Sequence, residues 1–309
     1  MMFFRVKRVL FLSFLHFFKW FLSIRTKLFS FRTPINQGSN YSPVFIVGSG
    51  RSGNTLLRRI LNRNEALFIP PETYVLGRSI AQWTFLPFLG ANRLKQKMAK
   101  NLIEHKEFST FGIDCPQKLM NSINSPDNIN LADSINAFYM HYADVHGITA
   151  QRWADKTPLN TYYIFQIMAV FPAAKFIHIK RDPYDTISSY MKSNLYNNLT
   201  EASFRWFDSI NLLKSFAVDY PESIVEISYE DMVTAPTPTI KAVCDFIQVE
   251  FTPDMLEVDN NVENLGDVNS LKHHQNVKKP IDKSRIGQGK KSLSPQQINI
   301  IDRFLKKLS

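Results

Sequence analysis

Apolar positions along this chain fall into short unbroken runs, each followed by a polar break and then by residues at helical spacing. Pro43, Val44, Phe45, Ile46 and Val47 make such a run, and after a glycine-rich break Thr55 to Leu61 continue as a helix. A second buried strand is predicted at Lys175 to Ile179 (KFIHI), followed at once by RDP and a helix through Met191. The third is predicted at Ser223 to Ile227 (SIVEI), followed by Tyr229, Glu230 and Asp231 and then a helix over residues 237–248. Between the first and second strands the pattern is largely helical, about residues 74–107 and 128–148, and rich in Phe, Trp and Met. Strands alternating with helices predict an α/β chain: a three-layer, P-loop-like fold with a mostly parallel central sheet flanked by helices. In such sheets ligands bind at the carboxyl ends of the strands.

The N-terminal pattern differs in kind. Residues 9–24 are almost wholly apolar, but His16 and Lys19 interrupt them, and the run falls short of the roughly 20 residues needed to cross a bilayer. On a helical wheel Arg5, Arg8, His16, Lys19, Ser23, Lys27 and Ser30 share one narrow stripe. This predicts an amphipathic helix over residues 1–30 lying in a membrane interface, with its cations toward lipid headgroups. A short single span and a core helix of the main domain are the alternatives, and no small-residue cleavage site marks a signal peptide. Residues 31–42 read as a linker of turn-forming residues, which leaves 43–309 as the main domain.

Composition narrows the class only partly. The 309 residues are 44% hydrophobic, enough for one large core, and the net charge of +10 suits a polyanionic ligand, an anionic membrane or nucleic acid. Cys115 and Cys244 are far apart and without metal-ligand spacing, so neither a disulfide framework nor a zinc site is expected.

The chemistry begins in the first break. Residues 48–55, GSGRSGNT, have the spacing of a phosphate-binding loop, but Asn54 stands where ATP- or GTP-using loops carry lysine. Backbone N–H groups at such a helix N-terminus point at an anion, and Arg51 adds a fixed positive charge. A nucleoside triphosphate is poorly served without the lysine, which points to a nucleotide carrying a phosphate and one further anion. The plain alternative is a glycine-rich turn before an ordinary helix. A second anion pocket is predicted where Arg181 leaves its strand and Ser188, Ser189 and Lys192 follow on the next helix. Arg181 and Asp182 as a simple capping pair is the alternative there. Two pockets on neighbouring strands suit a nucleotide with phosphates at both ends of its ribose.

Together these residues resemble the sulfotransferases that use 3′-phosphoadenosine 5′-phosphosulfate (PAPS), over roughly residues 43–305. The closest branch is that of tyrosyl-protein sulfotransferases and bacterial relatives, whose loop reads RSGTT where this chain has Arg51, Ser52, Gly53, Asn54 and Thr55. The resemblance implies that Gly50 to Thr55 hold the 5′-phosphosulfate and that Arg181 with Ser189 holds the 3′-phosphate. It further implies a catalytic Glu72, in PPETYV, and a catalytic Lys156, in ADKTP, with Ser284 on a closing loop and Tyr229 beside the nucleotide. In that scheme Glu72 is the general base, Arg51 stabilises the sulfuryl oxygens, Lys156 serves the bridging oxygen and Ser284 donates a hydrogen bond. No metal is expected.

A branch of the family uses a histidine base. Here His178 falls in a predicted core strand, His141 and His146 lie five apart on or near a helix, and His273 and His274 fall in a basic loop, so Glu72 is preferred. Two other classes stand as alternatives: a P-loop nucleotide kinase-like enzyme, and a non-catalytic basic protein of membrane surfaces or nucleic acid. With sulfotransfer as the reading, no nucleic-acid partner is expected. The acceptor is a hydroxyl or amine of a glycan, a lipid-linked or small molecule, or a protein tyrosine. Tyr74 replaces an arginine that holds acidic peptides in the tyrosyl-protein branch, while Trp83, Phe85, Phe88 and Phe111 fit either an apolar acceptor site or ordinary core. The expected location is the cytoplasmic face of a bacterial-type membrane, with a Golgi type II membrane protein as the alternative.

Overall fold

The computed structural model describes residues 2–28, 33–36, 38–257 and 280–307. At its centre lie five strands: β1 (Val44–Val47), β2 (Leu67–Phe68), β3 (Arg152–Asp155), β4 (Lys175–Lys180) and β5 (Ile224–Ser228), in the order β2-β3-β1-β4-β5. Every pairing is parallel; Val44 lies opposite both Ala154 and Lys175, and His178 lies opposite Glu226. The N-terminal helices are α1 (Met2–Leu28), α2 (Asn54–Leu61), α3 (Leu76–Phe85), α4 (Ala91–Ile103), α5 (Pro116–Ile123) and α6 (Leu131–Val145). After β3 come α7 (Ile164–Val170), α8 (Pro183–Lys192), α9 (Leu199–Asp219), α10 (Tyr229–Thr234), α11 (Pro236–Ile247), α12 (Gln288–Ser292) and α13 (Pro295–Leu305).

The period of two in a strand sorts the apolar residues of the sheet between two cores. Phe45, Val47, Trp153 and Phe176 enter one with helices α3 to α7, while Val44, Ile46, Ile177 and Ile179 enter the other with α2, α10 and α11. All of β1 is fully buried, as a central strand covered on both faces must be. Strands β1, β4 and β5 follow the apolar runs in the sequence. Strands β2 and β3 do not, because the first is two residues long and the second reads RWAD, with charges at both ends. Their pairing to each other, Leu67 with Arg152 and Phe68 with Trp153, is what makes them strands. The helical stretch 74–107 is divided into α3 and α4 at Pro87 and Gly90.

Helix α1 differs from the expected floating helix. Phe18 and Leu22 are buried in the same core as Phe45 and Trp153, and the Phe18 and Phe85 rings lie 5.0 Å apart. The cations read as facing headgroups turn to the domain instead: Arg8 Nε donates to Asp208 at 2.7 Å and Lys19 to Asp219 at 2.8 Å. Opposite charges on α9 capture them at closer range than any solvent face offers. The segment read as a linker is also held where it is described, since Thr33 and Ile35 are buried and Ala132 N donates to Ile35 O at 2.9 Å. Phe18→Ala should therefore lower the unfolding free energy by about 3–5 kcal/mol, the range for deleting a buried phenyl ring. Urea unfolding measures it, and an unchanged midpoint would show that α1 does not belong to the core.

Candidate active site

Each of the five strands delivers a polar group at its carboxyl end, on one side of the sheet. From β1 comes the loop 48–53, in which Arg51 (φ 65°) and Gly53 (φ 100°) take left-handed conformations. Gly53 is required there twice over, because a Cβ would also sit 2.6 Å from the ring of Tyr229, which follows β5. Asn54 does not extend as the lysine of a nucleotide loop would. Its side-chain amide donates to Ser49 O at 2.8 Å and ties the loop to its own helix, while Ser49 and Ser52 hydroxyls share a bond of 2.7 Å. Thr161 braces the loop from outside, accepting from Gly48 N at 2.9 Å and donating to Gly48 O at 3.0 Å. Residues 54 and 55 then open α2, whose first backbone N–H groups and dipole favour an anion.

From β2 comes Glu72, after Pro70 and Pro71, and from β3 comes Lys156; both are buried, at 8% and 1% exposure, and they form an ion pair. The Lys156 ammonium also lies 3.5 Å from the Thr55 hydroxyl, at the start of α2. A third buried group sets this pair in place. Asp155, next to Lys156, accepts from Thr73 Oγ1 at 2.8 Å, Tyr139 Oη at 2.6 Å and Asn160 Nδ2 at 2.8 Å, and Thr73 is next to Glu72. Thr73 N in turn donates to Thr157 Oγ1 at 3.0 Å. Burial raises the Asp155 pKa, while the hydrogen bonds from Tyr139, Thr73 and Thr157 pull it down.

From β4 comes Arg181. Its Nη1 donates to Arg51 O at 3.2 Å and its Nη2 to Arg285 O at 3.0 Å, its guanidinium lies 4.3 Å from the Tyr229 ring centroid, and its Nε is buried without a partner. Arg51 reaches the same place: its Nε donates to Ser189 Oγ at 3.1 Å. Arg51, Arg181, Ser188, Ser189, Lys192 and Arg285 line a cavity of about 520 Å³. The acid in its wall, Asp185, lies 3.7 Å from Arg181 Nη2 and also accepts from the backbone N–H of Gly287, at 2.8 Å, and of Gly289. Burial lowers the Arg51 pKa, Tyr190 opposes this, and the cations Arg181 and Arg285 lower it further. Arg181, Arg285 and Lys192 beside Arg51 give this cavity a concentration of positive charge that favours an anion. A larger cleft, about 1150 Å³ among Asn62, Phe68, Tyr142 and His146, carries Arg63 and Glu65, which offset each other, and has no comparable charge.

The fold thus brings loop 48–55, Glu72, Lys156, Arg181, Ser189 and Tyr229 to the same end of the sheet. Ser284 is the exception: it is exposed, and its N and Oγ both donate to Asp282. Its neighbour Arg285 makes the contact with Arg181. Arg285 and Asp155 were missed because one is an isolated arginine and the other hides behind the KTP turn. His178 is buried and paired through Nδ1 with Glu226 at 2.9 Å, which holds Glu226 well below its ordinary pKa, at about 2. His146 bonds Phe111 O at 2.8 Å, and His273 and His274 lie outside the described residues.

Residues 43–253 match the profile of a sulfotransferase family. The chain belongs to that sulfotransferase family. Among its relatives, protein-tyrosine sulfotransferase 1 of Danio rerio is 21% identical over 78% of this chain and 62% of its own. An uncharacterised protein of Aquifex aeolicus is 22% identical over 86% of this chain and 31% of its own. The ω-hydroxy-β-dihydromenaquinone-9 sulfotransferase Stf3 of Mycobacterium bovis is 25% identical over 63% of this chain and 59% of its own. The chain therefore spans less than two thirds of the length of each of these three. Its fold is similar to the sulfotransferase domain of the Synechococcus PCC 7002 olefin synthase, with a TM-score of 0.61, 24% identity, and coverage of 89% of this chain and 98% of that one.

Asp155→Ala should lower stability by about 1–3 kcal/mol for each buried donor left without an acceptor. Chemical denaturation checks it, with Tyr139→Phe as the milder control that removes one donor and leaves the carboxylate paired.

Proposed function

We propose that this chain transfers a sulfuryl group from PAPS to a hydroxyl or amine acceptor by in-line displacement, with Glu72 as general base. One observation carries the reading: two anion sites flank a single loop. On one side the N-terminus of α2 stands beside Lys156, and on the other Arg51, Arg181 and Ser189 line a cationic cavity. A nucleotide with a 3′-phosphate and a 5′-phosphosulfate meets both, and the partnerless Nε of Arg181 gives the 3′-phosphate a buried donor.

Sulfuryl transfer asks the protein for position and charge. Glu72 takes the acceptor's proton, an oxygen or nitrogen lone pair forms the bond to sulfur, and the bond from sulfur to the 5′-phosphate oxygen breaks with its electron pair on that oxygen. Lys156 stabilises or protonates that departing oxygen, leaving 3′-phosphoadenosine 5′-phosphate and the sulfated product. The Glu72–Lys156 pair keeps both groups at the loop until substrates separate them. Because its guanidinium lies on Ser189, Arg51 is assigned to the 3′-phosphate in preference to the sulfuryl oxygens. Arg285 is preferred to Ser284 as the closing residue, since it lines the cavity and its carbonyl accepts from Arg181 at 3.0 Å.

The acceptor class is left broad: a protein tyrosine or a dihydromenaquinone is named for the relatives above. Tyr74, beside Glu72, is stacked on His105 with centroids 5.2 Å apart, which presents an aromatic surface where an arginine would favour acidic peptides.

Glu72→Gln should leave the affinity for 3′-phosphoadenosine 5′-phosphate intact and lower turnover of labelled PAPS by about 10²-fold or more. Undiminished turnover would remove Glu72 from the mechanism. Arg181→Ala should weaken nucleotide binding by about 1.5–3 kcal/mol, read by calorimetry. A thermal shift with ATP and magnesium that exceeds the shift with 3′-phosphoadenosine 5′-phosphate would favour a kinase-like enzyme instead.

A further inference from the structure

Helix α1 leaves an apolar face uncovered. Its inner side is closed: Leu15, Phe18 and Leu22 are buried, and Arg8 and Lys19 are engaged by Asp208 and Asp219. On the outer side Val6, Val9, Leu10, Phe14, Phe17 and Trp20 are 40–64% exposed and recur every three or four residues. An apolar stripe of this kind on a charged protein is a contact surface.

Charge selects the occupant. Arg8 and Lys19 are offset by Asp208 and Asp219, but the sequence of α1 holds further Lys and Arg and no acidic residue, no Asp or Glu precedes Glu65, and the chain's net charge is +10. A second copy of so basic a surface would repel the first, whereas an anionic lipid surface would attract it. Among the described residues no helix is long and apolar enough to cross a membrane. We infer that α1 lies in the headgroup region of an anionic bilayer, with Val6, Leu10, Phe14, Phe17 and Trp20 entering the acyl boundary while the helix stays clamped to the domain. This inference is independent of the catalytic reading. Its geometry differs from that of a free amphipathic helix, since Arg8 and Lys19 serve as struts to the protein rather than as headgroup ligands.

The clamp fixes how the rest of the molecule meets the lipid. The Phe11 ring of α1 lies 5.3 Å from that of Tyr162 and 6.4 Å from that of Tyr163, which follow Lys156 in the chain. Phe85, at the end of the helix that follows Glu72, stacks on Phe17 and Phe21. Docking through α1 therefore sets Phe85 and the Tyr162–Tyr163 turn directly behind the lipid-facing helix.

The chain supplies its own reporter. Of its 4 tryptophans, Trp83, Trp153 and Trp206 are buried and Trp20 is 57% exposed, so a blue shift of fluorescence on adding vesicles reads Trp20. The full chain should co-sediment with phosphatidylcholine vesicles containing phosphatidylglycerol, with that blue shift, and less at high salt. Val6→Glu with Leu10→Glu should reduce partitioning by at least about tenfold. The thermal melt should stay unchanged, because both side chains lie outside the core. Absence of binding, equal binding to vesicles of phosphatidylcholine alone, or an unshifted tryptophan spectrum would overturn the inference. So would a dimer detected by light scattering and dissolved by the same substitutions, which would show that a second copy covers the face.

Discussion

Burying an ammonium and a carboxylate side by side is unfavourable unless each meets the other and the remaining hydrogen-bonding groups around them are satisfied. Lys156 and Glu72 meet that condition because they follow adjacent strands, β3 and β2, and their chain neighbours Asp155, Thr73 and Thr157 are bonded together just behind them. The pair ties the segment after the outer strand to loop 48–55 through Thr55, and adds to the pairing of the two-residue β2 with β3. The same arrangement holds a carboxylate and a cation beside the N-terminus of α2, where the proposed transfer would use them.

The loop shows how one substitution redirects a common framework. A lysine at position 54 would reach outward to phosphates, whereas Asn54 turns inward and closes the loop on Ser49. Positive charge must then arrive from elsewhere. Lys156 comes from β3 on one side, and Arg51, Arg181 and Arg285 come from three separate segments on the other. Charge borrowed from distant segments suits a ligand whose anionic groups are far apart.

Helix α1 joins the two sides of the molecule's chemistry. Ion pairs to α9 and a row of phenylalanines hold it against the core, and the same packing turns its other apolar residues outward. An amphipathic pattern measured on the helix alone reads the cations as the exposed side. Partners 200 residues away reverse that reading for Arg8 and Lys19.

The apolar runs of β1, β4 and β5, the glycines of the loop, and the RDP and KTP turns were all legible in the sequence, because strand burial and backbone conformation are local demands on residue type. From them followed the parallel α/β sheet and most of the cationic cradle. Strands β2 and β3, the bracing by Asp155, the part played by Arg285 and the inward turn of Arg8 and Lys19 belong to tertiary structure alone. Each depends on a partner far along the chain, and neither periodicity nor spacing carries information about a contact until the fold has brought both residues together.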